Sequence, residues 1–161
     1  MYQPGCAVYI TLALLHMPRQ NTHLESEGAE FLVLGNLLTL GIPSYKTYTN
    51  MAGYDITATN PERNRAARIQ VKSRWRTGAE GFIIKNFDCD FVVVVLLNRG
   101  SKDGTGKVLP PEFYVLPVDM VKQLHNPNSA WGKLSLSKII GFKEQRDQWQ
   151  VIKEFLDEIP G

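Results

Sequence analysis

The chain has 161 residues, 43% of them apolar and 21% charged, which suits one globular domain with a real core and excludes a disordered or fibrous protein. The formal charge is only +2, yet residues 62–76 carry Arg63, Arg65, Arg68, Lys72, Arg74 and Arg76 against Glu62, a local +5 that leaves −3 for the rest. Such a patch either attracts phosphate or is ordinary solvated surface.

The first twenty residues include CAVYITLALL, an apolar stretch too short to span a bilayer and without the positive flank of a secretory signal. It is expected to be an extension of the fold or an extra core element, and no membrane role is expected. Cys6 and Cys89 are the only cysteines. With no CxxC pair or Cys/His cluster beside them, neither a disulfide framework nor a structural zinc site is expected, and a reducing, cytoplasmic setting is the default.

A helix is predicted over 23–40, with Thr22 and Glu25 as a capping box and Gly41 and Pro43 as the stop. Its 3.6-residue period groups Glu27, Glu30, Phe31, Leu34 and Leu38 on the side facing the sheet. Strand signals follow in SYKTYT, GYDITAT and ARIQVKSRW, the last covering 67–75. The run DFVVVVLLN, 90–98, has no polar face and reads as a central strand covered on both sides. EFYVLPV is a further strand and DMVKQLH a short helix, and an amphipathic helix is predicted over about 143–159, carrying Trp149, Ile152, Leu156 and Ile159. No repeat or long linker divides the chain, so the expectation is a single domain with a core of about 22–125, the C-terminal helix and the 1–20 extension.

Period-two alternation in ARIQVKSRW puts Arg68, Gln70, Lys72 and Arg74 on one face and Ile69, Val71 and Trp75 on the other. If this strand forms a hairpin with GYDITAT, Asp55, Gln70 and Lys72 converge at one end of the sheet, and Glu30 reaches them from the helix. Taken singly, Asp55 suits a turn, Gln70 and Lys72 an open strand face, and Glu30 a solvated helix position shared with Glu27. Together they suit a metal site: Mg²⁺ asks for oxygen ligands, one or two of them carboxylates. Asp55 and Glu30 supply these, with the Gln70 amide oxygen and the Val71 backbone carbonyl as neutral ligands.

The order of an acidic helix, EGAEFLVLGNLLTLG, then GYD, then IQVK resembles the PD-(D/E)XK nuclease superfamily, in its restriction-endonuclease-like and Holliday-junction-resolvase-like branch. The resemblance runs over roughly 24–98 and departs from the pattern at Gly53 and Tyr54, where the name-giving proline is missing, and at Gln70, which replaces the second acid. It implies an α/β fold with a restriction-endonuclease-like mixed central β-sheet flanked by helices. It also implies a Mg²⁺-dependent deoxyribonuclease, with Mn²⁺ as a substitute metal, in which Glu30, Asp55 and Gln70 hold the ion and Lys72 is the catalytic cation. Arg68, Arg74 and Arg76 become contacts to the DNA backbone, which add affinity without reading sequence, and a symmetric homodimer is the simplest way to cut both strands of a duplex. The alternative is a catalytically silent nucleic-acid-binding or assembly module with the same fold, motivated by Gln70. A third reading is an unrelated α/β protein whose basic strand is only surface.

Two other features are set aside. GSKDGTGKV has neither the spacing nor the following helix of a phosphate loop and reads as a hairpin loop. His16, His23 and His125 share no ligand spacing.

Overall fold

The computed structural model describes residues 21–47, 53–126, 128 and 132–159. The expected extension at 1–20 lies outside them. The chain order is α1 (Thr22–Thr39), β1 (Ser44–Lys46), β2 (Ile56–Asn60), β3 (Arg65–Arg74), β4 (Gly81–Ile83), β5 (Phe91–Leu96), β6 (Glu112–Pro117), α2 (Val118–Lys122), β7 (Lys133–Ser135) and α3 (Gln150–Asp157), with short 3-10 turns between some of them. Five strands form a mixed sheet in the order β1-β2-β3-β5-β6, and β4 and β7 pair as a separate two-stranded sheet. β3 is antiparallel to β2 and parallel to β5, while β6 runs antiparallel to β5. This is the expected mixed α/β arrangement, a central sheet flanked by helices.

All six residues of β5 are buried, because the strand is covered on both faces. Val93 and Val95 join Ile69, Val71, α1 and α3 in one core layer; Val92 and Val94 join β4, β7 and α2 in the other. At about 1.5–3 kcal/mol for each large apolar side chain taken from water, this strand is a major source of cohesion between the layers. The connection from β3 to β5 holds β4 instead of the helix common between parallel strands.

Three details differ from the sequence reading. Helix α1 begins at Thr22, the residue expected to cap it: Asn21 is the N-cap and accepts the His23 N–H at 2.8 Å, so no capping box forms on Thr22. Its end is as expected. Gly41, at φ 75°, lets its own N–H reach Leu38 and that of Ile42 reach Leu37, closing the helix with a left-handed turn. The buried stripe is Glu25, Ala29, Val33 and Leu37, whereas Phe31 and Leu38 are about half exposed. The helix is apolar nearly all round, so periodicity alone selects no unique face, and small Ala29 allows close packing on the sheet. The C-terminal helix is shorter than predicted: a 3-10 turn at Lys143–Gln145 and the left-handed Asp147 precede it, and Ile159 lies beyond its end, exposed.

No helix among the described residues is long and apolar enough to cross a membrane. GSKDGTGKV is a hairpin loop between β5 and β6, closed by a bridge between Arg99 and Val108.

Candidate metal and nucleic-acid site

The register of β3 decides where its polar side chains go. Gln70 lies opposite Val92 and Lys72 opposite Val94, so both belong to the face away from α1, while Val71 is buried in the α1 layer. β2 pairs with β3 as a hairpin, Ile56 opposite Ile69. The ladder loses regularity just before Ile56, in a bend at Asp55: the Asp55 N–H donates to the Ile69 carbonyl at 2.9 Å, and its carboxylate Oδ2 accepts the Val71 N–H at 2.7 Å. The bend also separates the flanking residues. Tyr54 packs with the β4/β7 layer and Ile56 with the α1 layer, where simple alternation would have kept them together.

Asp55 thereby sits beside Gln70 and Lys72. Gln70 is 7% exposed, and its Oε1 has no hydrogen-bond partner among the described residues. An unmet buried amide acceptor is costly and calls for a ligand, water or ion. Lys72 is half-buried; burial pulls its ammonium below the ordinary lysine range, against the attraction of Asp55, Cys89 and Glu30. Cys89 is a buried free thiol pushed up to about 11, chiefly by burial, and is correspondingly unreactive.

Glu30 approaches from α1 and interacts electrostatically with both Asp55 and Lys72, but its hydrogen bond goes to Lys46, whose Nζ lies 2.9 Å from Glu30 Oε2. Lys46 also donates to Glu27 and sits over the Phe31 ring at 4.7 Å. Glu30 is held above the usual carboxylate range, first by burial and also by Asp55, although Lys46 opposes this. For Lys46, burial is outweighed by the hydrogen bonds to Glu27 and Glu30, so its proton is held more tightly than in an ordinary lysine. Sequence patterning gives no signal for Lys46, because a single lysine on a short strand carries no period.

The fit to a divalent cation can be judged from the donors. Among the described residues, no group of three or more Asp, Glu, His or Cys side chains is placed to hold a metal ion. An ion here would rest on Asp55, the unpartnered Gln70 oxygen and Glu30, completed by backbone carbonyl, water and substrate oxygens. That sparse oxygen set is acceptable to Mg²⁺, which keeps several waters, and not to zinc, which favours nitrogen and sulfur ligands.

The basic window divides in two. Arg65 pairs with Glu158 at 3.3 Å and stacks over Phe155, and Arg68 is engaged by Asp88 and Asp90. Arg74 and Arg76 instead line a cleft of about 600 Å³ with Glu25, Trp75, Ala79, Ser101, Lys102 and Asp103. Arg74 is the next residue after Lys72 on the same strand face, so one wall of the cleft lies two positions along β3 from the Asp55–Lys72 cluster. Parity places Trp75 in the apolar layer, but β3 ends at Arg74. Trp75 lines the cleft instead, its indole N–H without a partner among the described residues.

The fold is thus a mixed five-stranded sheet with α1 and α3 across one face and α2 with the small β4–β7 sheet across the other. Among solved structures, a bacterial homing endonuclease, I-Ssp6803I, matches with a TM-score of 0.52 at 19% identity, over 84% of this chain and 94% of that one. At that identity the likeness establishes the fold. No family model matches the chain, and no curated protein matches it significantly.

Proposed function

We propose that the protein is a divalent-metal-dependent endonuclease of the PD-(D/E)XK type, hydrolysing DNA phosphodiester bonds. The observation that carries this reading is the meeting of Asp55 with the Gln70–Lys72 segment, fixed by the 2.7 Å bond from the Val71 N–H and beside a buried amide oxygen that lacks a partner. The shared fold with a homing endonuclease supports it.

In the reaction, water attacks phosphorus, one P–O bond breaks, and the leaving oxygen takes up a proton. Asp55, Gln70 and Glu30 would hold a hard divalent cation, which when bound would supply charge neutralisation and an acidified water. The Val71 N–H holds one oxygen of Asp55, fixing the carboxylate before substrate arrives. Lys72, whose ammonium burial pulls below the ordinary lysine range while Asp55 and Glu30 oppose the shift, orients the attacking water and faces the charge that develops on phosphorus. Arg74, Arg76 and Lys102 hold the flanking backbone in the cleft, and Trp75 offers a face for a sugar or base.

The test is nicking or cleavage of linear, supercoiled and branched DNA with Mg²⁺ or Mn²⁺, repeated with Lys72→Ala. Loss of activity in a folded variant is expected; cleavage persisting in it refutes the assignment. The second reading, a silent DNA-binding module, is favoured by Gln70 in the place of an acid. It predicts DNA binding that is equal in chelator and in Mn²⁺, and no Mn²⁺ binding that depends on Asp55.

A further inference from the structure

We propose that Lys46 is a built-in counter-ion that fills, with an ammonium group, the place of a second divalent ion, so that the site takes one metal ion per chain. This rests on the metal-site reading above.

Glu27 and Glu30 are one turn apart on α1, and Glu30 also faces Asp55. Carboxylates this close disfavour one another's charge unless a cation or a proton offsets it. Gln70 already lowers the demand by one charge, because an amide stands where an acid would be. Lys46 lowers it again. Its side chain is only 5% exposed, and its ammonium contacts Glu27 and Glu30 while lying against the Phe31 ring.

The ammonium is also anchored from its backbone. Lys46 lies opposite Ile56 in the β1–β2 ladder, and the following residue, Thr47, donates its N–H to the Asp55 carbonyl at 2.9 Å. The backbone from which the Lys46 side chain reaches is therefore tied to the bend that aims Asp55. A monovalent charge fixed between two carboxylates by hydrogen bonds and an aromatic face meets the need that a mobile divalent ion would meet. Glu30 is left with one oxygen committed to Lys46, and its role toward the single ion is secondary to that of Asp55.

Mn²⁺ binding measured by calorimetry and by electron paramagnetic resonance on the intact chain, without DNA, tests this. The wild type should bind one ion, and Asp55→Asn should abolish that binding. Lys46→Met keeps the stem against Phe31 but removes the charge; it should bind two ions, while Lys46→Arg should still bind one. Two Asp55-dependent ions in the wild type, or an unchanged single ion in folded Lys46→Met, overturns the counter-ion role and leaves the metal site standing. Binding indifferent to Asp55→Asn removes the metal site itself. Should Lys46→Met fail to fold by circular dichroism, the wild-type count and Lys46→Arg still decide, two ions in either one overturning the proposal.

Discussion

The carboxylate of Asp55 accepts the main-chain N–H of Val71 across 2.7 Å, so a side chain just outside β2 is fixed by the backbone of β3. Asn at position 55 can accept the same hydrogen bond but carries no charge. Asp55→Asn should therefore melt within a few degrees of the wild type and lose divalent binding and cleavage by about a hundredfold or more. Asp55→Ala also strands the amide and should cost a further 1–3 kcal/mol, by an order-of-magnitude estimate. Thermal melts beside a Mn²⁺ titration separate the two effects.

Lys72 pits stability against function. Its ammonium is more easily deprotonated in the folded chain than in the unfolded one, chiefly through burial. The folded state then binds this proton less tightly, and the penalty is fully present below the lowered folded value and fades as pH rises toward the ordinary value of 10.5. Lys72→Met should abolish cleavage and raise the melting temperature at neutral pH, because the variant no longer carries the cost of the buried ammonium. The advantage should shrink in melts near the ordinary lysine range. A variant less stable than the wild type at pH 7 contradicts this account.

Gly53 and Tyr54 stand where the resembled motif carries its proline, and the backbone explains the glycine. Its φ is 117°, and a Cβ there would come within 2.9 Å of the Asp88 carbonyl oxygen. Gly53→Ala should destabilise the fold by about 1–3 kcal/mol. Because Asp55 is two residues away, metal affinity should fall with it, whereas an alanine in open space elsewhere, as at Gly28, should leave metal affinity alone.

The arginines should separate by role. Arg74→Ala with Arg76→Ala should weaken DNA binding at every sequence and make the slope of log affinity against log salt shallower by about 2, near 0.9 for each duplex phosphate no longer neutralised. Arg68→Ala should leave that slope unchanged and lower stability, since its guanidinium is already held by Asp88 and Asp90. Equal slopes for the double variant and for Arg68→Ala would remove the cleft from the DNA path.

Much of this architecture is legible in the sequence. An unbroken apolar run announces β5, and two-residue alternation correctly keeps Gln70 and Lys72 together and Val71 in the core, because pleating leaves a strand no other option. Legibility fails where the pattern is degenerate or the partner distant. α1 carries apolar residues on nearly every side, so Phe31 and Leu38 suit the core by period as well as Val33 and Leu37 do. β4 and β7 are three residues each, too short to show alternation. Lys46 meets its carboxylates only after the chain turns back from α1 through Gly41 and Pro43, and Trp75 escapes its parity because the strand stops one residue earlier.

The parallel pairing of β3 with β5 has a consequence for the order of events during synthesis. Every residue of the Asp55–Lys72 cluster is joined to the chain before β5 is, so a chain that stops short of β5 holds the chemical groups without the strand that packs beside β3. The chemistry must wait for sheet closure, and a chain released early would carry the groups but not their alignment.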